Sequence, residues 1–213
     1  MINGLHPKLQ EVMQQEGLEN LTEPQRQALP SLLHGDNCLI IAPTGMGKTE
    51  AALIPLFQRL LDDGTAKGIS LLYVTPLRAL NRDMLRRTLS WGNQLGIDIA
   101  VRHGDTTRKE RRRQSLHPPD MLITTPETVQ ILFTGSRLRK SLEDVRFVVI
   151  DEVHELASSE RGAQLAVALE RLTAIAGEVQ RIGLSATVGS PREVATFLSG
   201  GRLIEIIETT SGK

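Results

Sequence analysis

Ala42-Pro43-Thr44-Gly45-Met46-Gly47-Lys48-Thr49 sits between two stretches of different periodicity. Ahead of it, Cys38-Leu39-Ile40-Ile41 is a short run of apolar, strand-forming residues; behind it, residues 50–61 carry apolar positions at helical spacing. A strand, a glycine-bearing loop and a helix in that order is what a phosphate cradle needs. Gly45 and Gly47 let backbone N–H groups turn inward with no Cβ in the way, and the following helix points its positive end at the same place. Thr44, Gly45, Met46 and Gly47 then wrap the phosphates of a nucleotide, Lys48 reaches the terminal ones, and the Thr49 hydroxyl is placed for Mg²⁺. The loop departs from G-x-x-x-x-G-K-[ST] at one position, where Ala42 stands for the first glycine. The competing reading is a glycine-rich turn that merely ends a buried strand; the strand and helix on either side speak against it.

The 213 residues suffice for one α/β domain with a sizeable core, or at most two small ones. Lys and Arg number 25 against 25 Asp and Glu, which excludes a global electrostatic footprint for nucleic acid and leaves only a local basic face. Cys38 is the single cysteine and lies in an apolar strand, so a packed, reduced thiol is expected and no disulfide can form within the chain. No basic-then-apolar leader opens the sequence and no apolar run approaches membrane-spanning length, so a cytoplasmic protein without a membrane partner is expected.

Along the chain, residues 6–16 and 22–33 read as helices, the second with Thr22 as N-cap and Gln25 completing a capping box. Strands are expected at 38–41, 69–75, 97–101, 121–125, 145–150, 181–185 and 203–207. Helices are expected at 50–61, 77–94, 108–113, from Pro126, at 160–176 and at 191–198. Short apolar strands alternating with amphipathic helices predict an α/β fold, a mostly parallel sheet with helices on both faces. Residues 1–207 are read as one domain, and 208–213, ending small and polar, as the start of a linker.

Asp151-Glu152-Val153-His154 follows strand 145–150 directly. In a P-loop fold an acid at the carboxyl end of such a strand lies beside the phosphates, so Asp151 is assigned to the metal shell. Glu152 is assigned to polarising the attacking water. An Asp-Glu pair there also makes a plain helix N-cap; its pairing with the P-loop favours catalysis. His154 is placed to contact either nucleotide-linked residues or the next segment, and by itself reads as an ordinary surface or core histidine. Ser185-Ala186-Thr187 ends another buried strand, and the hydroxyls of Ser185 and Thr187 could link nucleotide state to a neighbouring domain; the plain alternative is the cap of the next helix.

Three further strand ends carry polar loops. Thr75, Pro76, Arg78 and Asn81 form one, His103 and Gly104 the second, and Thr125, Pro126 and Glu127 the third. Backbone N–H groups, hydroxyls and helix N-termini suit sugar–phosphate oxygens, contacts that position a strand without reading its sequence, yet plain turn chemistry explains each loop equally well. Residues 109–113, Lys-Glu-Arg-Arg-Arg, read as a solvated helix face, and Trp91 as packing rather than a stacking platform.

Taken together these stretches resemble the first motor domain of superfamily 2 helicases, and the strings 75–84, 102–106 and 151–156 look like the large helicase-related (Lhr-like) proteins of archaea and bacteria. The resemblance implies a RecA-like fold, ATP and Mg²⁺, and 3′-to-5′ translocation on single-stranded DNA with unwinding of DNA or DNA–RNA duplexes, RNA or a hybrid being the alternative partner. Gln25, with Arg26 beside it, takes the adenine-reading role; Lys48, Asp151, Glu152 and His154 form the hydrolytic set. A second RecA-like domain would supply arginine fingers, so the chain alone is expected to bind nucleotide weakly and hydrolyse it slowly. Two other classes compete: a non-catalytic nucleic-acid or partner-binding module, against which the intact Lys48, Thr49, Asp151 and Glu152 argue, and a small-molecule kinase, which would leave Ser185-Ala186-Thr187 unexplained. Hydrolysis stimulated by DNA rather than by a metabolite separates the first reading from the kinase.

Overall fold

The computed structural model describes residues 2–64, 67–76, 82–157, 159–186 and 189–210. Helix α1 (Pro7–Gln15) and helix α2 (Glu23–His34) precede strand β1 (Cys38–Ile41), which feeds the P-loop and helix α3 (Lys48–Asp63). Strand β2 (Leu71–Val74), helix α4 (Arg82–Leu95), strand β3 (Ile99–Arg102), helix α5 (Arg108–Leu116) and strand β4 (Met121–Thr124) follow. Helices α6 (Pro126–Leu132) and α7 (Ser136–Ser141) lead to strand β5 (Phe147–Ile150). The chain ends through α8 (Val153–Ala157), α9 (Glu160–Ala176), β6 (Gln180–Ser185), α10 (Pro191–Ser199) and β7 (Glu205–Glu208).

The seven strands form one sheet in the order β3-β4-β2-β5-β6-β1-β7, with neighbouring strands parallel. Alternate strand residues feed two cores. Cys38, Ile40, Leu71, Tyr73 and Val149 face α1–α4, while Leu39, Ile41, Leu72, Val74 and Val148 face α6 and α8–α10. A parallel sheet needs both faces covered, which is why these strands read as unbroken apolar runs. The edge strand β7 carries Glu205 and Glu208 exposed, charges that discourage further strand pairing.

Register brings the working ends together. Ile41 pairs with Ser185, Val74 with both Ile150 and Thr124, and Arg102 with Thr124. The residues that follow β1, β2, β3, β4 and β5 therefore emerge along one edge, where open parallel sheets bind ligands. At the far end Thr209 is buried and donates its N–H to the Ile41 carbonyl at 2.9 Å, so the backbone is still tied to β1 there.

Two short helices, α7 and α8, go beyond the sequence reading, being a single turn or two each with too few residues for a periodic pattern. Trp91 is 2 % exposed and packs edge-on against Phe57, ring centroids 6.4 Å apart, as expected of a core residue. Cys38 is fully buried, and burial pushes its thiol up to about 12.

Arg181 of β6 is 1 % exposed and donates to the carbonyls of Leu198 and Leu169 at 3.2 and 3.3 Å. It also donates to Thr173 Oγ1 and Glu170 Oε1, each at 2.9 Å, and Arg202 grips the same carboxylate at 2.9 and 3.0 Å. The cluster locks the strand that carries Ser185 onto α9 and the turn after α10. Glu170→Ala removes the only carboxylate paired with Arg181 among the described residues. It is expected to cost about 2 kcal/mol, because a buried guanidinium loses its counter-charge while keeping its carbonyl partners. Thermal unfolding should show this as a drop of roughly 4–8 °C. The hydrogen bonds from Arg202 and Arg181 hold the Glu170 carboxyl down at about 2, below its ordinary 4.5. Its contribution is therefore full above pH 4.5 and fades as pH falls from there toward 2.

Candidate nucleotide site

The P-loop begins by continuing the ladder: Ala42 N–H donates to the Ser185 carbonyl at 3.1 Å, and the residue is fully buried. No left-handed backbone is needed there, which explains why alanine serves in place of the first glycine. The turn itself is made by Gly45 and Gly47, with φ of +84° and +75°. A Cβ at Gly45 would meet open space, whereas one at Gly47 would come within 2.3 Å of Gln25 Nε2. Gly47 is thus required both by its backbone angle and by a close approach.

Gln25 makes that approach. Its Nε2 donates to the Gly47 carbonyl at 3.2 Å, and its Oε1 accepts from Thr22 N–H at 3.0 Å. Thr22 Oγ1 donates onward to the Met46 carbonyl at 2.9 Å. The start of α2 is in this way stapled to the apex of the P-loop, and Gln25 is only 3 % exposed. Sequence reasoning found the capping bond but not the loop contact, since nothing local signals a partner 22 residues away. Arg26, by contrast, turns outward to the Leu21 carbonyl and Glu23. It lines an apolar cavity of about 470 Å³ with Leu21, Leu29, Pro30 and Leu33.

Lys48 Nζ donates to the carbonyls of Ala42 and Pro43 at 2.7 and 3.2 Å, folded back on its own loop. Burial lowers its ammonium pKa, and the charges of Glu152 and Asp151 offset this. Asp151, 8 % exposed, is held at both oxygens: Oδ1 accepts Glu152 N–H at 2.9 Å and Oδ2 accepts the Tyr73 hydroxyl at 2.9 Å. The Thr75 hydroxyl lies 3.5 Å from the same Oδ2. Burial raises the Asp151 carboxyl, with the Tyr73 hydrogen bond foremost among the effects drawing it back. The Thr49 hydroxyl is near enough to the Tyr73 phenol to act on its ionisation, so Thr49, Tyr73 and Asp151 lie together at this edge. Hard oxygen donors, one of them an anionic carboxylate, suit Mg²⁺, which completes its shell with water and phosphate rather than with a protein cage.

Glu152 is the one non-glycine residue with positive φ among those described, at +48°. Burial and the neighbouring Asp151 raise its carboxyl. His154 Nδ1 lies 3.5 Å from Glu152 Oε2 and 2.9 Å from Ser185 Oγ. The carboxyl ends of β5 and β6 are therefore joined through an imidazole. Thr187 lies outside the described residues.

The remaining loops are braced from within. His103 N–H donates to Thr106 Oγ1 at 2.9 Å, and Arg111 of the Arg-rich helix donates to the carbonyls of His103 and Gly104 at 3.3 and 2.5 Å. The role of Arg111 had no sequence signal beyond its charge. Thr125 is buried with its hydroxyl 3.0 Å from that of Thr128; Pro126 starts α6, and the exposed Glu127 pairs with Arg161 at 3.3 Å. Thr75 is buried and Pro76 half-buried. Arg78 and Asn81 lie outside the described residues.

Residues 22–197 match the family described as DEAD/DEAH box helicase. The chain is 41 % identical over 211 residues to the protein named ATP-dependent helicase Lhr-Core of Methanothermobacter thermautotrophicus, covering 92 % of this chain and 24 % of that one. It is 44 % identical over 194 residues to the Lhr helicase/probable uracil glycosylase of Mycolicibacterium smegmatis, covering 84 % and 13 %. Among solved structures, the Mycobacterium smegmatis helicase Lhr bound to single-stranded DNA and AMP-PNP superposes with a TM-score of 0.89 at 38 % identity. That match covers all of this chain and 29 % of the other. The fold is RecA-like, and the chain spans between 13 % and 29 % of the length of these relatives. Among the described residues no helix is long and apolar enough to cross a membrane.

Proposed function

The chain belongs to the DEAD/DEAH box helicase family, and from that premise we propose that it is the ATP-binding motor lobe of a nucleic-acid helicase. The observation that carries the proposal is the convergence of P-loop, Asp151 and Glu152 on one sheet edge, with Lys48 electrostatically coupled to both acids. Relatives named ATP-dependent helicases and a similar chain bound to AMP-PNP and single-stranded DNA support it. Single-stranded DNA as the track, 3′-to-5′ polarity, hybrid unwinding and a second RecA-like domain as partner are carried over from the family resemblance as parts of the same proposal.

In this reading Gly45, Met46 and Gly47 present backbone N–H groups to the phosphates. Lys48 exchanges its two carbonyl partners for phosphate oxygens. Thr49 and Asp151 are the residues that would hold Mg²⁺, which neutralises phosphate charge when bound. Glu152 orients the attacking water and accepts its proton. His154 and Ser185 carry a change at Glu152 toward β6. Gln25 retains one amide proton and one oxygen lone pair beyond its present bonds, enough to meet an adenine edge, with Arg26 adjacent.

Titration with a fluorescent ATP analogue and Mg²⁺ tests the assignment. Lys48→Ala and Asp151→Ala are each expected to weaken binding by roughly thirtyfold, the value of one charge-assisted contact of about 2 kcal/mol. Binding indifferent to both substitutions would overturn the site.

A further inference from the structure

Tyr73 is the one tyrosine of the chain, and its side chain is 1 % exposed. Its ring belongs to the core beneath α3, on the sheet face shared with Val149, its neighbour in register on β5. From there the phenol reaches the carboxyl edge of the sheet below the first turn of α3. A buried phenolic hydroxyl must find a hydrogen-bond partner. This one has found a side chain assigned above to a divalent cation, Asp151 Oδ2 at 2.9 Å, with the Thr49 hydroxyl close by.

We infer that Tyr73 is a positioning residue for the Asp151 carboxylate, fixing the orientation in which Asp151 and Thr49 serve a divalent cation; this rests on the nucleotide-site reading. The carboxylate is pinned at both ends, Oδ1 by Glu152 N–H and Oδ2 by Tyr73, so it cannot turn about its own axis without breaking one bond. Each oxygen keeps a further lone pair for a cation or a cation-bound water. The Thr75 hydroxyl, at 3.5 Å, is too distant to hold Oδ2 alone. Mg²⁺ tolerates little departure from octahedral geometry, so it is sensitive to this orientation, whereas nucleotide bound without metal is not.

Tyr73→Phe keeps the ring and removes only the hydroxyl. Affinity for the fluorescent ATP analogue is measured in EDTA and across a Mg²⁺ series, on the parent chain, Tyr73→Phe and Lys48→Ala. The expected result is a metal-free affinity within about twofold of the parent and a half-saturating Mg²⁺ concentration raised about tenfold, the effect of one hydrogen bond to a charged group. An unchanged Mg²⁺ requirement overturns the inference. So does a proportional weakening with and without metal, or a chain that fails to fold, since either assigns the hydroxyl to stability. Binding that ignores Lys48→Ala overturns the site reading itself, an outcome distinct from a Lys48-dependent site indifferent to Tyr73.

Discussion

With Glu152→Gln, ATP and Mg²⁺ are expected to bind as before while hydrolysis falls by about 10²–10⁴, the range set by loss of a positioned general base. The local geometry argues for that role. Glu152 holds a φ of +48°, a conformation that costs a non-glycine residue on the order of 1–2 kcal/mol and persists where the surroundings enforce it. Here the Asp151 carboxylate accepts its N–H and α8 begins at the next residue. The result aims the side chain at the P-loop edge with Oε2 buried and without a hydrogen-bond donor, the imidazole of His154 standing 3.5 Å away. Burial and Asp151 together raise the carboxyl, bringing its basicity closer to what abstraction of a water proton requires. Because the base must be ionised to act, the rate should rise with pH through a value above the ordinary 4.5. That acid limb should vanish in Glu152→Gln. Phosphate release with saturating nucleic acid measures the rate, and analogue binding separates it from affinity. A rate within threefold of the parent would remove Glu152 from the mechanism.

The architecture was legible because most strands are short apolar runs, β1, β2 and β4 with a proline close behind, and the long helices show their period. Residues 160–176 illustrate this: Ser159 caps the N-terminus, accepting Gly162 N–H at 3.1 Å, and Gly177 stops the helix. The P-loop and Asp151-Glu152 were legible for a different reason, since phosphate and metal chemistry demands particular residue types in contiguous strings. What escaped was everything settled by packing between distant segments. Gln25 to Gly47, Tyr73 to Asp151 and Arg111 to the 103–104 loop are contacts across the fold, and each residue looks locally ordinary. Tyr73 in particular reads as one more β-former in Leu71-Leu72-Tyr73-Val74, and only the register with β5 shows where its hydroxyl ends. The polar loops were half legible: their turn-forming residues announced loops, but several hydroxyls expected to face outward are spent inward. Thr75 points at Asp151, and Thr125 bonds Thr128.

The inward use of these groups makes the P-loop depend on neighbours that the motif string does not contain, and Gly47→Ala exposes that dependence. An alanine at φ +75° costs about 1–2 kcal/mol from its backbone angle alone. Its Cβ would also lie 2.3 Å from Gln25 Nε2, so the buried amide must move, breaking its bonds to the Gly47 carbonyl and Thr22 N–H at about 1 kcal/mol each. Together these reach about 3–4 kcal/mol against the nucleotide-competent loop, an expected loss of 10²–10³ in ATP affinity. A double-mutant cycle with Gln25→Ala separates the two causes. Once the amide is gone only the backbone term remains, so Gly47→Ala should then cost about tenfold. Equal losses in both backgrounds would mean that Gln25 merely fills space beside the loop. A smaller loss in the Gln25→Ala background would show that α2 holds the P-loop in shape, and that the nucleotide site begins at Thr22 rather than at Ala42.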